Sequence, residues 1–400
     1  MKLLDMNATG KTHGLDGSLV DPDWPPLTVD EVSELLQQFP GRGEDIEILS
    51  ISPRPFSAAS LVATRGGQLF IKRHHRTVRD REGLLEEHRF MAHLLTQGLS
   101  VPRVVATDSG DTAIESGEWT YEAHQTPPGV DLYEDAISWT PFRSPSHAHS
   151  AGQALARLHL ASQGFSAPPR KPRPLVASFS IFAADDPGAG MEHYLAARPA
   201  LADHAETRRN CTRALELLAP FRAELLPFLP ALPPLWTHND LHASNLFWSD
   251  RSNNAQAAAI IDFGLADRTN AVYDLAHAIE RNIVEWLSLA SAQANGEDVP
   301  VHLDHLLALL EGYELVRPLS SNEAAALAPM TALCHAEFAL TEADYFLSVL
   351  HSEEKARVAS DDYLIGHARW FRGAEGCKLL DALHRWADAR EPKPHGALPQ

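Results

Sequence analysis

The chain has 400 residues, of which 44% are hydrophobic, and it carries a formal net charge of −19 at pH 7. That length is sufficient for two lobes with separate cores. The acidic balance argues against a nucleic-acid partner, whose phosphates bind basic surfaces, and no apolar run is long enough to span a bilayer. Since the first residues lack the apolar segment of a secretory signal, we expect a cytoplasmic protein with no membrane partner.

The N-terminal third of the chain predicts a short tail followed by a small α+β unit. Residues 1–24 are polar and irregular, as expected of a poorly ordered tail, and residues 391–400 form a second tail. A capping-box pattern from Thr28 to Glu31 predicts the start of a helix. Alternating runs predict a three-stranded meander at residues 46–51, 60–64 and 69–72, with Lys72 near the end of its third strand, and an apolar stripe predicts a helix at residues 81–97.

A stiff crossing then divides the chain. A hairpin at residues 111–124 runs into Gln125-Thr-Pro-Pro-Gly129, which we interpret as a hinge between an N-terminal lobe, residues 25–125, and a C-terminal lobe, residues 126–390. Helical patterns dominate the second lobe. They predict helices at residues 146–163, 191–226 with a break near Pro220, 272–291, 301–316, 322–350, 353–370 and 374–389.

The most informative stretch lies between residues 235 and 279. His238-Asn239-Asp240 is followed by Asn245, and an apolar strand at residues 257–261 leads into Asp262-Phe263-Gly264. Phosphoryl transfer needs one carboxylate beside the attacking hydroxyl and oxygen ligands for a metal ion on the phosphates. We therefore predict that Asp240 is the catalytic carboxylate and that Asn245 and Asp262 bind Mg²⁺.

This stretch resembles the catalytic core of the aminoglycoside phosphotransferase and choline kinase-like family, which is related to the protein kinases. The family's pattern is His-Gly-Asp-x-His-x-x-Asn, then Asp-Phe-Gly, then Asp-Leu-Ala at a helix start. Here it is matched by His238, Asp240, His242, Asn245, Asp262 and Asp274-Leu275-Ala276, with Asn239 in place of the glycine. The resemblance implies an α+β, bilobal protein kinase-like fold, with an antiparallel sheet and one helix in the small N-terminal lobe and a larger, mostly helical C-terminal lobe.

The same resemblance implies a nucleotide site in the N-terminal lobe. Lys72 would bind the α- and β-phosphates and would be held by a glutamate of the following helix, either Glu87, our choice, or Glu86. The loop between the first two strands lacks Gly-x-Gly-x-x-Gly, so we assign phosphate binding to its hydroxyl residues and backbone N–H groups. The remaining nucleotide-binding residues predicted are Ser57 and Ser60 in that loop, and Ala123 and Gln125, whose backbone would face the adenine.

Two further groups of acidic residues receive predictions. Asp274 is expected to cap its helix and to form hydrogen bonds with the catalytic loop. Charges on helix faces are usually solvated, but four acids of the C-terminal lobe are candidates for the acceptor pocket. They are Glu280, Glu285, Glu337 and Asp344.

The function expected from these residues is transfer of the γ-phosphate of ATP or GTP, with Mg²⁺, to a hydroxyl of a small molecule such as an antibiotic, a sugar or an amino alcohol. Two alternatives remain open. The segment from Leu84 to Phe90 is also similar to bacterial stress-response Ser/Thr protein kinases of the same fold. A nucleotide-binding pseudokinase is the other, although all the motif residues are present together. The acceptor and the oligomeric state are left open by the sequence.

Overall fold

The computed structural model describes residues 12–13, 19–295 and 297–390. The predicted tails at residues 1–11, 14–18 and 391–400 lie outside this part of the chain. Within it, β1 (Thr12–His13) pairs with β2 (Leu19–Val20), and the ring of Trp24 stacks on His75 at 5.1 Å. Residues 21–24 have no regular secondary structure, and Trp24 contacts the sheet of the N-terminal lobe through His75.

The N-terminal lobe is a six-stranded antiparallel sheet with two helices. The strand order is β3-β4-β5-β8-β6, and β7 also pairs with β8. The elements are β3 (Glu47–Ile51), β4 (Ala58–Thr64), β5 (Gly67–His75), β6 (Arg103–Val104), β7 (Ile114–Ser116), β8 (Trp119–Gln125), α1 (Val29–Leu36) and α2 (Arg81–Thr96). The predicted meander is confirmed, but β5 continues to His75, so Lys72 lies within the strand rather than near its end.

The two faces of this sheet differ in character. On one face, Ile71 and Ala123 pack with Leu36 of α1 in an apolar core. Because side chains alternate along a strand, the neighbouring residues point to the other face. Lys72 and Glu122 lie directly opposite each other in the register of β5 and β8, so both belong to that second face. This second face is polar, and both Lys72 and Glu122 line the cleft.

The C-terminal lobe is mainly helical, as predicted, and two small hairpin-like sheets carry its loops. Its strands are β9 (Pro234–Thr237), β10 (Leu246–Trp248), β11 (Ala257–Ile260) and β12 (Asp267–Asn270), paired as β10 with β11 and β9 with β12. Its helices are α3 (Pro145–Ala161), α4 (Pro187–Ala196), α5 (Pro199–Asp203), α6 (Ala205–Leu225), α7 (Ala271–Ile283), α8 (Leu289–Asn295), α9 (Leu303–Val316), α10 (Ser321–Leu333), α11 (His335–Ser348), α12 (Glu353–Arg357), α13 (His367–Trp370) and α14 (Ala374–Arg390). A π-helix, Val358–Gly366, joins α12 to α13. Among the described residues, no helix has both the length and the apolar character needed to cross a bilayer.

Several predicted helix boundaries differ from the structure. Pro220 lies inside α6, so the predicted break there is wrong. A proline removes one backbone hydrogen bond, but Leu218 and Leu225 on either side of it are fully buried, and this packing keeps the helix continuous. The chain is instead interrupted at Ala197 and His204, and the helix predicted at residues 322–350 is two helices that meet at Cys334.

The helices α3 and α9 approach each other closely at two glycines. A Cβ atom on Gly152 would overlap the carbonyl oxygen of Leu309, and one on Gly312 would overlap that of His149. Only glycine permits backbones to come so near. This approach brings His159 of α3 to Tyr313 of α9, with 2.7 Å between the imidazole Nδ1 and the phenol oxygen.

We expect Gly312→Ala to lower the free energy of unfolding, although alanine favours a helix by about 1 kcal/mol over glycine. The added methyl group meets backbone rather than a flexible side chain, and such overpacking costs about 1–3 kcal/mol. Urea unfolding followed by circular dichroism measures the difference. Gly43→Ala is the control, since its nearest non-bonded atom would lie at 3.5 Å. Equal unfolding midpoints for Gly312→Ala and the parent would contradict the close packing.

Candidate functional site

A cleft of about 180 Å³ lies between the two lobes. It contains all four residues predicted to form the reaction centre. They are Lys72, Asp240, Asn245 and Asp262. Side chains separated by up to 190 positions in the chain therefore converge on one space.

Asn239 gives the loop after β9 its shape. Its φ angle is +60°, in the left-handed region that non-glycine residues rarely adopt, although asparagine does so more readily than most. The side chain is also held, because Thr237 and Thr269 donate their hydroxyls to its Oδ1 at 2.8 and 3.0 Å and its Nδ2 donates to the carbonyl of Leu265 at 3.1 Å. These three bonds explain why asparagine occupies a position where the family pattern has glycine.

The buried carboxylate of Asp274 fixes the path of this loop. It accepts hydrogen bonds from the backbone N–H groups of His238 and Asn239, both at 2.8 Å, and from Nε2 of His159 at 3.0 Å. Burial alone would raise the pKa of Asp274, but the contributions of His159 and His238 together outweigh it, and the pKa lies below its usual value. The predicted contact with the loop is confirmed. The predicted cap is wrong, because α7 begins earlier and Asn270 caps it.

Asp240 follows on this loop and lies between two donors. Asn245 donates from Nδ2 to the carboxylate at 3.2 Å and to the carbonyl of Asp240 at 2.9 Å, and Arg281 of α7 donates to Oδ1. Burial raises the pKa of Asp240, and the charge of Arg281 opposes that rise. Sequence reasoning missed Arg281. A signal was present, since it lies seven residues after Asp274 and therefore on the same face of the helix.

Asp262 faces Lys72 across the cleft. The distance from Lys72 Nζ to Asp262 Oδ1 is 3.1 Å, and the Asp262 side chain is 40% exposed toward the cleft. Burial of the carboxyl opposes ionisation, but the ammonium of Lys72 outweighs it and holds the pKa of Asp262 well below its usual range. The N–H of Ile261 donates to the carbonyl of Asn245 at 2.9 Å, which keeps the two predicted metal ligands together.

Glu87 is not the ion-pair partner of Lys72 in the described part of the chain, and Glu86 is not either. The Glu87 carboxylate accepts from Arg79 at 2.8 Å and from Arg170 at 2.7 Å, and Glu86 accepts from Arg170 at 3.3 Å. Both guanidinium groups are buried, so each needs a carboxylate. Arg170 also donates to the carbonyl of Gly264 at 2.9 Å, so Glu87 connects α2 to the turn after Asp262 instead.

The other predicted nucleotide residues are placed as follows. Ser57 lines the cleft. Ser60 does not: it pairs with Ile71 in the register of β4 and β5, faces the α1 core and is fully buried, because strand alternation turns it away. The carbonyl of Ala123 accepts from Val105 at 2.8 Å within the sheet, so it is not available to a nucleotide. Gln125 is the last, exposed residue of β8.

The loop between β3 and β4 reaches across to the C-terminal lobe. Arg54 donates to the hydroxyl of Ser138 at 2.7 Å and lies close enough to Asp131, Asp240 and Asp262 to interact with their charges. Phe56 meets the ring of Tyr345 edge-on at 5.2 Å. Sequence reasoning missed Arg54. Arg54 lies between two prolines in a loop, where no hydrophobic periodicity indicates which way a side chain points, although the loop itself was predicted between the first two strands.

The far end of the cleft is aromatic with one carboxyl group. Trp139, at φ +71°, contacts Phe338 at 5.3 Å and Tyr363, which lies on the π-helix, at 5.2 Å. Glu342 lines the same end, and among the described residues its Oε2 is buried without a hydrogen-bond partner. Burial raises the pKa of Glu342 to about 8, against the opposing charge of Arg281. Phe338 and Glu342 share a face of α11, four residues apart.

The four acids proposed earlier for an acceptor pocket are engaged elsewhere. Glu337 accepts from the N–H of Ile181 at 2.6 Å, and Glu280 lies 2.9 Å from a nitrogen of His367. The other two acids also pair with side chains of the C-terminal lobe: Glu285 lies 2.8 Å from His302, and Asp344 lies 3.7 Å from Arg198. Among the described residues, none of these four acids lines the cleft. The prediction is therefore wrong for all four, because each carboxylate is bound by one of the partners just named.

Comparison with known proteins gives matches over most of the chain. The phosphotransferase enzyme family matches residues 55–319. Among curated proteins, the homoserine kinase of Xanthobacter autotrophicus is 29% identical over 72% of this chain and 77% of its own length. The homoserine kinase of Rhodopseudomonas palustris is 25% identical over 81% of this chain and 86% of its own.

Two solved structures share the fold. A microcompartment-associated aminopropanol kinase superposes with a TM-score of 0.57 at 18% identity, over 87% of this chain and 99% of that one. The amicoumacin kinase hAmiN superposes with a TM-score of 0.53 at 12% identity, over 84% of this chain and 92% of that one. The bilobal fold expected from the sequence is confirmed by these superpositions.

The two functions of Asn239 can be separated by a pair of variants. Asn239→Gly and Asn239→Ala both lose the three side-chain hydrogen bonds, but only alanine resists the left-handed backbone. We expect both to be less stable than the parent and Asn239→Ala to be the less stable of the two by about 1–2 kcal/mol. Urea unfolding of the three proteins measures this, and equal stabilities of the two variants would contradict a φ of +60° at this residue.

Proposed function

The chain belongs to the phosphotransferase enzyme family and is a kinase of a small-molecule hydroxyl; we propose that the acceptor also carries an ammonium group, which Glu342 binds. The observation that carries this proposal is the unpartnered, buried Oε2 of Glu342 inside the cleft. We further propose that ATP with Mg²⁺ is the donor.

Asp240 is proposed to orient the acceptor hydroxyl and to accept its proton. The carboxylate lies in the cleft with Asn245 and Arg281 as donors, so its orientation is fixed before an acceptor arrives. Arg281 opposes the rise of the Asp240 pKa that burial causes, which favours the ionised form. A carboxylate that is ionised and held in place is what a general base in phosphoryl transfer requires.

Asp262 and Asn245 are proposed to hold Mg²⁺. The donors fit the ion, because Asp262 is ionised and partly exposed, and Asn245 commits its Nδ2 to Asp240 and leaves its carbonyl oxygen. When bound, such an ion neutralises charge on the β- and γ-phosphates. Lys72, beside Asp262, is proposed to bind the α- and β-phosphates, and Arg54 and Ser57 of the facing loop to contact the triphosphate.

Two earlier nucleotide assignments are changed in this proposal. Glu87 acts through α2 and the turn at Gly264, not by holding Lys72. For the adenine, we propose backbone groups at Gln125 and beyond, where β8 ends, since the Ala123 carbonyl is already used in the sheet.

The aromatic end of the cleft is proposed to hold the rest of the acceptor. Arg281 already lies over the ring of Phe338 at 4.3 Å, so an acceptor cation at this end would gain mainly from Glu342 and from the rings of Trp139 and Tyr363. Homoserine, the compound in the names of the curated relatives, has both a hydroxyl and an ammonium group, and this supports the proposed class. The same names favour a small acceptor over the protein substrate of the alternative interpretation.

Asp240→Asn is the first test of the proposal. We expect the amide to lower kcat by about 10²–10⁴-fold, the usual contribution of a general base, while ATP affinity is kept. Acceptor-dependent formation of ADP, with L-homoserine and a panel of amino alcohols, measures turnover, and titration calorimetry with a non-hydrolysable ATP analogue measures binding. Asp304→Asn, 68% exposed on α9, is the control. Full turnover in Asp240→Asn would overturn the assignment.

Glu342→Gln tests the acceptor class. A hydrogen bond to a charged group is worth about 1.5–3 kcal/mol, so we expect kcat/KM for amine-bearing acceptors to fall by roughly 10–100-fold while KM for ATP is unchanged. For acceptors with a hydroxyl but no amine, kcat/KM should be the same for the parent and for Glu342→Gln. Glu285→Gln, whose carboxylate pairs with His302 outside the cleft, is the matched control.

The same pair of proteins has a predicted pH dependence. The pKa of Glu342 is about 8 in the free protein, so below that pH the carboxyl must release its proton to pair with an ammonium. The KM of an amine-bearing acceptor should therefore fall as pH rises through about 8, and Glu342→Gln should lose this fall. Arg281 and Asp240 face the same group and remain in both proteins. A pH profile shared by the parent and Glu342→Gln would contradict the proposed pairing.

A further inference from the structure

Three histidines converge on one buried glutamate in the N-terminal lobe, outside the proposed reaction centre. Nε2 of His88 and Nε2 of His124 each lie 2.8 Å from Oε2 of Glu122, and Nε2 of His74 lies 3.1 Å from its Oε1. Each of these four residues is at least nine-tenths buried. We call these four residues the histidine cluster.

The fold brings the cluster together from three elements. His74 lies two residues after Lys72 on β5, and Glu122 and His124 lie two residues apart on β8, so alternation places all of them on the second, polar face of the sheet. His88 comes from α2, which covers that face. A small lobe normally fills such a position with apolar side chains, and four convergent polar groups there require a reason.

The chemistry of the cluster is that of a transition-metal site. Two imidazole nitrogens, those of His88 and His124, and Oε2 of Glu122 form a donor set of the kind that binds Zn²⁺, at about 2.0–2.2 Å in tetrahedral geometry, so that its ligand atoms lie about 3.3 Å apart. His74 contacts the other oxygen of Glu122, Oε1, and holds the carboxylate in place. The ligand atoms of His88, Glu122 and His124 all lie within 4.8 Å of one another. The spacing is therefore close to that of an assembled coordination shell.

We propose that the histidine cluster binds a divalent transition-metal ion of the zinc type, distinct from the Mg²⁺ assigned to Asp262 and Asn245. The second ring nitrogen of His88 is already placed by a partner, since its Nδ1 lies 2.9 Å from the hydroxyl of Thr112. Metal-binding histidines characteristically have their other nitrogen fixed in this way. The ion's function in this proposal is structural, because its three donors, His88, Glu122 and His124, connect α2 with the sheet.

The ion would join α2 to β8, and through His74 to β5, immediately behind the nucleotide side of the cleft. Lys72 and Glu122 are direct neighbours across β5 and β8, and both line the cleft together with His74. Glu87 of α2 is bound by Arg79 and Arg170 and therefore does not connect this helix to Lys72 on β5. The histidine cluster provides the connection to β5.

The test uses the full chain without a histidine tag. Metal content of the purified protein is measured by mass spectrometry, and the chelator-stripped protein is titrated with Zn²⁺ in excess Mg²⁺, which occupies the carboxylate site. We expect one Zn²⁺ per chain and a Tm that rises with Zn²⁺ concentration and falls with chelator. Co²⁺ should give the visible absorption of a tetrahedral complex. None of these measurements depends on phosphotransfer, so they are independent of the proposed function.

His88→Gln and His124→Gln are expected to weaken Zn²⁺ binding by more than about 100-fold, because loss of a ligand exceeds the 10–100-fold cost of losing a supporting partner. His93→Gln, on the same helix and bonded to the carbonyl of Ala161, is the matched control and should bind like the parent. Circular dichroism checks that each variant is folded. A parent protein without bound metal, whose Tm is the same in Zn²⁺ and in chelator, would overturn the proposal and leave a hydrogen-bonded cluster.

Discussion

A fully buried carboxylate, that of Asp274, is the constraint on which the reaction centre depends. It accepts hydrogen bonds from two consecutive backbone N–H groups, those of His238 and Asn239, and a loop can offer both to one carboxylate only along a narrow range of paths. His159 supplies the third bond and is in turn held by Tyr313. Leaving such a carboxylate without its donors is strongly unfavourable. The position of Asp240 is therefore set by α7, α3 and α9, which support the loop from behind.

The predicted site residues that the structure brings together in the cleft belong to short, continuous patterns. Asp240 and Asn245 lie on one loop, and Asp262 follows a strand that pairs directly with β10, so local spacing carries nearly all of their geometry. The strands of the meander and the helix α2 were found for the same reason, since hydrophobic periodicity is a local signal. The match to the phosphotransferase family covers the same region.

The errors arose where the partner of a residue comes from a distant part of the chain. Glu87 was assigned to Lys72 from the family resemblance, but Arg170, which lies between the predicted helices at residues 146–163 and 191–226, takes its carboxylate. Glu342 was missed altogether. A charge on a helix is normally solvated, and Trp139 and Tyr363, which line the same cleft, lie about two hundred and about twenty residues away along the chain, so no local pattern connects them to Glu342.

The π-helix at Val358–Gly366 makes the shape of the aromatic end of the cleft sensitive to the number of residues in this segment. A π-helical turn contains one more residue than an α-helical turn, so deletion of a single residue can restore the tighter winding. Such a deletion would rotate Tyr363 relative to the rest of the wall by roughly a quarter turn, since successive residues of an α-helix are about 100° apart. A change of one residue in the length of this segment would therefore reshape the aromatic end of the cleft and leave the loops that carry Asp240 and Asp262 unchanged.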